Sequence, residues 1–376
     1  MKRGVIKKVL ISGYKSIWGF EAPLELNQLN VLIGANGSGK SNFMTFFEML
    51  NHILTGSLEL YVANADGAKR LLHRSSRKSD EIRCELHFNV YGTQTEKIGY
   101  DGYGISFKRN MADKLIITSE KHFHFNEPKE VTDDEWTVTL YANRESALSA
   151  PAIENPTLKV IKSVMSGWRF YQFHDTSKEA NVFSRQFTDK SRNLYRDGGN
   201  LAPFLFNMRE KYPSSYNNIC YAIRQVAPFF REFILEPTGN NVLLEWIDYS
   251  GNEMIAAQLS DGTLRFMMLA ALLMQPNLPN SIFIDEPELG LHPYAIDSIA
   301  SLINDITKAK KAQITISTQS PSLIDYFAPE DVLVVEQKNG QSSFSRLSSG
   351  NLASWLDEFS LGEAWKSNAF GGNPNE

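Results

Sequence analysis

The sequence predicts an α/β fold, built on a mixed core sheet that carries an inserted antiparallel β subdomain and a helical subdomain. Three observations predict it. Residues 29–33 read as an apolar strand that runs into a glycine-rich turn, and after the turn Phe43, Phe46, Phe47, Leu50, Ile53 and Leu54 recur at helical spacing, which predicts an amphipathic helix. Between residues 82 and 140 the period changes to two, as Ile82, Cys84, Leu86, Phe88 and Val90 alternate with Arg83, Glu85, His87 and Asn89. Near the C-terminus the pattern returns to short β-branched strands at 281–284 and 313–317, separated by a helix with Ile296, Ile299, Ile303 and Ile306 on one side.

The elements follow in order. Residues 5–20 read as a strand, with Gly13 as the expected site of a bulge or bend. Tyr103, Ile105 and Phe107 continue the alternating pattern of the insertion, as do Trp136, Val138 and Leu140. From residue 201 to 274 the pattern is mostly helical, interrupted by a strand pair around 233–247. A strand at 331–336 is joined through Lys338-Asn339-Gly340 to Phe344 in an expected hairpin. There is no internal repeat and no sustained heptad pattern, so no long coiled-coil arm is expected.

Composition narrows the function classes. Of the 376 residues 42% are hydrophobic and 22% charged, which suits a folded globular chain rather than a disordered one. The longest apolar run, 266–274, is far below a membrane span, and no signal-peptide stretch follows the basic start Met1-Lys2-Arg3. Cys84 and Cys220 match no metal or redox spacing, so the expected setting is a reducing cytoplasm. A net charge of −5 argues against indiscriminate coating of nucleic acid. Lys69, Arg70, Arg74, Arg77 and Lys78 nevertheless cluster, either as a solvated loop or as a phosphate-facing patch. His122 and His124 alternate on one strand with no acidic partner evident in sequence, and they are expected to be surface histidines.

The sharpest chemical signal is Gly34-Ala35-Asn36-Gly37-Ser38-Gly39-Lys40-Ser41, followed by Asn42, which fits the P-loop pattern. Glycines let successive backbone N–H groups turn inward around phosphates, and the following helix adds its positive end. In this reading Lys40 reaches the β- and γ-phosphates of ATP and the Ser41 hydroxyl ligates Mg2+. A second signal is the apolar strand that ends in Asp285-Glu286-Pro287. Downstream of a P-loop, Asp285 is expected to hold magnesium through its water shell and Glu286 to act as general base toward the attacking water.

The third signal is Leu259-Ser260-Asp261-Gly262-Thr263, some twenty residues before that strand. It resembles the ABC signature with Asp261 and Thr263 in place of Gly and Gln. Ser260 and the Gly262 N–H can donate to a γ-phosphate from a helix tip, and the same serine can cap the helix. Taken with Gly13-Tyr14-Lys15-Ser16, the run from Trp168 through Gln172 and His174 to Asp175, Asp197-Gly198-Gly199-Asn200-Leu201, the stretch 285–293, Ser317-Thr318-Gln319-Ser320-Pro321 and Ser360-Leu361-Gly362-Glu363, these motifs identify a resemblance over nearly the full chain. The chain resembles RecF-like ABC ATPases ("AAA family ATPases"), related to the SMC and OLD proteins.

The resemblance implies a single ABC-type ATPase domain over 1–376. Its parts are the P-loop strand and helix (1–60), the antiparallel β insertion (80–145), a Q-loop strand and helical signature lobe (165–275), the Walker B and switch strands (276–345) and a C-terminal tail (346–376). It places the switch residue at Gln319, where the superfamily commonly has His. It places the Q-loop residue, which senses magnesium and nucleotide, at Gln172; a polar residue on a strand is the other reading of that position. It further implies a homodimer through ATP-sandwiched heads, a role in DNA repair or antiviral defence, DNA as a candidate partner, and no membrane. With no room for a fused Toprim domain, any nuclease or toxic effector is expected to be a separate protein. Two other readings are an ABC transporter's ATPase subunit and a non-hydrolysing ATP-binding module. The first conflicts with the Leu291-His292-Pro293 that follows the acids; the second is kept open by Gln319 and opposed by Glu286.

Overall fold

The computed structural model describes residues 3–73, 80–92, 97–143 and 145–373. The chain divides into two compact units, one made of residues 1–168 with 329–376 and the other of residues 169–328. Among the described residues no helix is long and apolar enough to cross a membrane.

In the first unit the strand Arg3–Tyr14 is paired antiparallel with Ile17–Gly19 and Leu24–Glu25, and with Glu81–Tyr91. The sheet continues antiparallel through Lys97–Arg109, Leu115–Phe125 and Thr137–Asn143. Ile82, Cys84, Leu86, Phe88 and Val90 are all buried on one face, as strict alternation requires. The helix Pro156–Met165 buries Leu158, Ile161, Val164 and Met165. Gly4 lets it approach, since a Cβ there would lie 2.3 Å from Val164 Cγ2.

Two expectations need correction. The first strand is not continuous to residue 20 but turns back at Lys15-Ser16, and its register slips between Ile6 and Lys8 rather than at Gly13. Gly13 serves close approach instead: at φ +76° its missing Cβ would sit 2.0 Å from the Glu81 carbonyl oxygen. The second correction concerns the histidines. His122 is buried beside the Asn155 amide, whose nitrogen lies 3.0 Å from His122 Nε2; His124 is exposed, as expected, but its Nδ1 lies 2.5 Å from the buried carboxylate of Asp101 on the next strand. The acidic partner is one strand over, which no local spacing reveals. Of the basic cluster, Lys69 and Arg70 are exposed, and Arg74, Arg77 and Lys78 lie outside the described residues.

The same unit holds the strand Leu29–Ile33, every residue of which is buried. It runs parallel to Val332–Lys338, which pairs antiparallel with Gln341–Arg346, so this sheet is mixed. Asn339 and Gly340, at φ +53° and +77°, make the two-residue hairpin turn. After the helices Ser349–Leu356 and Leu361–Lys366, the chain returns so that Gly372 N donates to Glu336 Oε1 at 3.1 Å. This gives the tail a packing role against the strand beside the P-loop.

In the second unit Ser281–Asp285 runs parallel to Gln313–Thr318, with Asp285 opposite Ser317. Phe283 stacks on Phe170 at 4.8 Å between ring centroids. The helix Pro293–Lys308 buries Ile296, Ile299, Ile303 and Ile306. A helical lobe comprises Leu201–Lys211, Pro213–Val226 and Asp261–Leu273, with a three-stranded antiparallel sheet of Phe230–Ile234, Glu245–Asp248 and Glu253–Ile255. Asp261–Leu273 buries nearly all of its length after the first turn, as an apolar helix in a core does. The fold class expected from sequence, α/β with a mixed sheet, an antiparallel insertion and a helical signature lobe, is the one observed.

Candidate functional site

The P-loop in the first unit is built by backbone conformations that only glycine adopts without strain. Gly34, Gly37 and Gly39 have φ of +153°, +80° and +116°. A Cβ on Gly34 would lie 2.1 Å from the Val335 carbonyl oxygen, and one on Gly39 would lie 2.1 Å from Ser342 Oγ. The helix Lys40–Ile53 starts with no side-chain cap, leaving its first N–H groups for another acceptor. Lys40 is buried and folds over the loop, donating from Nζ to the carbonyls of Gly34 (2.7 Å) and Ala35 (3.0 Å). Ser38 Oγ is buried with no hydrogen-bond partner. An orphaned hydroxyl, uncapped N–H groups and a lysine folded onto the loop carbonyls fit a polyanionic phosphate chain.

The loop is braced from a distance in sequence. Ser342 Oγ donates to the Ser38 carbonyl and accepts from Ser16 Oγ at 2.7 Å, and Asn42 Nδ2 donates to Ser16 Oγ at 2.8 Å. Asn36, Gly37 and Ser41 stay exposed. Beside Ser16 and Asn42 opens a cavity of about 960 Å³ whose walls include Lys15, Lys69, Arg70 and His73. Burial lowers the Lys15 pKa from the usual lysine value, and its backbone sits at φ +45°.

In the second unit two other segments, 172–174 and 317–319, converge on two acids. Asp285 ends its strand, takes a hydrogen bond from Ser317 Oγ, and has Gln172 Nε2 at 3.5 Å from Oδ2. The next residue, Glu286, turns into the left-handed region at φ +46°, and its N–H donates to the Ser317 carbonyl. That conformation costs a non-glycine residue about 1 kcal/mol or more and aims the side chain away from the strand line. Glu286 Oε1 accepts from Gln319 Nε2, while Oε2 lies 3.8 Å from His174 Nε2. Glu288 holds the switch segment, accepting from Thr318 Oγ1 at 2.5 Å and from Gln319 N at 3.3 Å. Burial pushes its carboxyl above the usual range.

The signature helix joins the same cluster. Ser260 caps Asp261–Leu273, accepting from Thr263 N at 3.2 Å, while Asp261 stays exposed at the tip. A Cβ on Gly262 would lie 2.2 Å from the Gly290 carbonyl oxygen, so helix tip and acid loop touch backbone to backbone. One turn on, the Arg265 guanidinium donates to the carbonyls of Phe173 (2.9 Å), His174 (3.0 Å) and Leu289 (3.3 Å) and to Thr176 Oγ1 (3.3 Å). One planar cation thereby ties together the signature helix, the segment after Gln172 and the loop after Glu286.

Of the residues named from sequence, the structure gathers Gln172, Asp285, Glu286, Gln319 and the Ser260–Gly262 tip in the second unit, and Gly34 to Asn42 in the first. Sequence reasoning missed His174, Arg265, Glu288 and Ser342 as parts of the site. His174 stood in a quoted motif without a role, and Arg265 could have been found as the one charge on the apolar signature helix after its first turn. Nothing in sequence marks Ser342. Among the described residues there is no group of three or more His, Cys, Asp or Glu side chains that could hold a metal unaided. A metal here would need hydroxyl, water or ligand oxygens as well, which suits magnesium.

Comparison with known proteins agrees with this architecture. A search of curated proteins found none that matches the chain. Among solved structures the chain is similar to "SmcHead bound to the C-winged helix domain of ScpA", with 15% identity, a TM-score of 0.57, and 96% of this chain and 99% of that one covered. It is also similar to an Smc head domain with an extended coiled coil bound to the C-terminal domain of ScpA, derived from Pyrococcus furiosus. There the identity is 14% and the TM-score 0.59, with 94% of this chain and 99% of that one covered. At such identities the likeness shows the fold alone, that of an SMC head domain. Residues 29–325 match the family model described as "AAA domain, putative AbiEii toxin, Type IV TA system", and the chain belongs to that family of AAA ATPase domains.

Proposed function

We propose that the chain hydrolyses ATP with magnesium and works as a nucleotide-dependent dimerising switch of the RecF/SMC kind. The observation that carries the reading is Glu286, a carboxylate held in left-handed backbone with one oxygen bound to Gln319 and the other free of hydrogen bonds from the switch. A module that only stores nucleotide has no use for a base held in this way. In this reading the loop from Gly34 to Gly39 cradles the phosphates, Lys40 leaves its loop carbonyls for the β- and γ-phosphates, Ser41 and Asp285 serve the magnesium ion and its waters, and Gln172 steadies Asp285 through its amide nitrogen. Magnesium supplies charge neutralisation on the phosphates. The cavity beside Ser16 and Asn42, whose polar walls carry Asp66 and Asp113 as well as Lys15, Lys69 and Arg70, has the volume to take the nucleoside.

The Ser260–Gly262 tip is proposed to cap the γ-phosphate held by a second copy, with ATP joining the pair and hydrolysis releasing it. The family description names a toxin–antitoxin system, which favours a role in cellular defence; a separate effector protein and DNA as a trigger are further parts of the proposal. The test is an ATPase assay with Lys40→Ala as the blank, together with gel filtration of Glu286→Gln. Turnover above the blank and an ATP-dependent dimer of the Glu286 variant are expected. A wild-type rate equal to the blank would remove hydrolysis, and a monomer under all nucleotide conditions would remove the switch.

A further inference from the structure

We infer that His174 is a second anchor for the attacking water, facing Glu286 across the reaction site; the inference rests on the hydrolysis reading above. The argument starts from the orientation of the Gln172 amide. Its Oε1 accepts from Arg196 Nη2 at 3.2 Å, and its Nε2 faces Asp285 Oδ2 at 3.5 Å. Arginine can only donate and an ionised carboxylate can only accept, so the two neighbours fix which end of the amide is nitrogen. That nitrogen also lies 3.3 Å from His174 Nδ1. An amide N–H donates, so Nδ1 is the acceptor, and the proton of the neutral ring belongs on Nε2.

The protonated nitrogen is the one with nothing to bind. His174 Nε2 is buried without a hydrogen-bond partner, and 3.8 Å separates it from Glu286 Oε2. That spacing is too long for a direct hydrogen bond and short enough for one water oxygen to bond both atoms, once the cover over Nε2 opens to admit it. Such a water accepts from His174 Nε2–H and donates one proton to Glu286 Oε2, leaving its second lone pair free. Gln319 occupies Glu286 Oε1, so Oε2 is the oxygen left to take a proton. Arg265 holds the His174 carbonyl, which sets the ring's position through the backbone.

The step balances with groups already named. The water oxygen bonds to the γ-phosphorus, its proton passes to Glu286 Oε2, and the bond from the γ-phosphorus to the bridging oxygen breaks with its electron pair leaving on ADP. His174 neither gains nor loses a proton; it fixes the direction of the lone pair. A wrongly aimed nucleophile loses rate rather than substrate affinity.

The experiment is steady-state ATPase kinetics of the full-length chain, comparing wild type, His174→Ala, His174→Gln and the Lys40→Ala blank, with melting temperature and ATP-dependent dimerisation measured in parallel. For His174→Ala we expect kcat to fall on the order of 10- to 100-fold, with KM within about twofold and dimerisation retained. His174→Gln, which restores an N–H donor on a side chain of similar reach, should recover most of kcat. A kcat unchanged in His174→Ala, a rise in KM alone, or a glutamine variant as slow as the alanine one would overturn the inference while leaving hydrolysis standing. Wild-type turnover no faster than the Lys40→Ala blank would instead sink the hydrolysis reading, and this inference with it.

Discussion

The P-loop and the acid cluster are built in opposite ways. Gly34 to Ser41 are consecutive, and the loop's shape comes from three glycines with positive φ and the helix start directly after them. The acid cluster draws on Gln172 and His174, Arg265, Asp285 to Leu289, and Ser317 to Gln319, segments up to 147 residues apart (319 − 172) joined by side-chain hydrogen bonds. The P-loop is therefore local chemistry braced by distant partners, whereas the cluster has no local version. A mutation in the loop should act on nucleotide affinity, and one in the cluster on the rate of the step or on the integrity of the network.

The largest effect should test that division directly. Glu286→Gln removes the proposed base and is expected to cut kcat at least about 100-fold while ATP affinity, read by fluorescent-nucleotide titration, is kept. Affinity lost in parallel with rate would erase the contrast. Next comes Gly34→Ala, whose Cβ would meet the Val335 carbonyl oxygen at 2.1 Å. The loop must shift, so nucleotide affinity should fall by about tenfold or more, with a stability cost above ~1 kcal/mol by denaturant unfolding.

Arg265→Met sharpens the comparison from the other side. It strips four hydrogen bonds, three of them partly buried, and a cost of about 2 kcal/mol with a several-fold loss of kcat is expected, KM changing little. A rise in KM without loss of kcat would place Arg265 with the loop rather than the cluster. The smallest effect is Ser342→Ala. Losing the bonds to the Ser38 carbonyl and Ser16 should cost ~1 kcal/mol and weaken nucleotide binding two- to fivefold. If instead kcat alone fell, the brace would not act through the cradle.

The sequence by itself determined what depends on neighbours along the chain. The glycine loop is legible because positive φ and close backbone approach demand glycine. The α/β class is legible because periods of two and 3.6 report which faces are buried. The Asn339-Gly340 hairpin follows from a two-residue turn that prefers those residues. Only the tertiary structure decided which distant side chains meet. Asp101 pairs with His124 across strands, Ser342 reaches the P-loop from a hairpin 304 residues away (342 − 38), and His174 faces Glu286 because a signature-helix arginine holds its carbonyl. The physical reason is that a hydrogen bond between remote segments depends on how whole elements pack, and packing leaves no periodic trace in the chain that makes it.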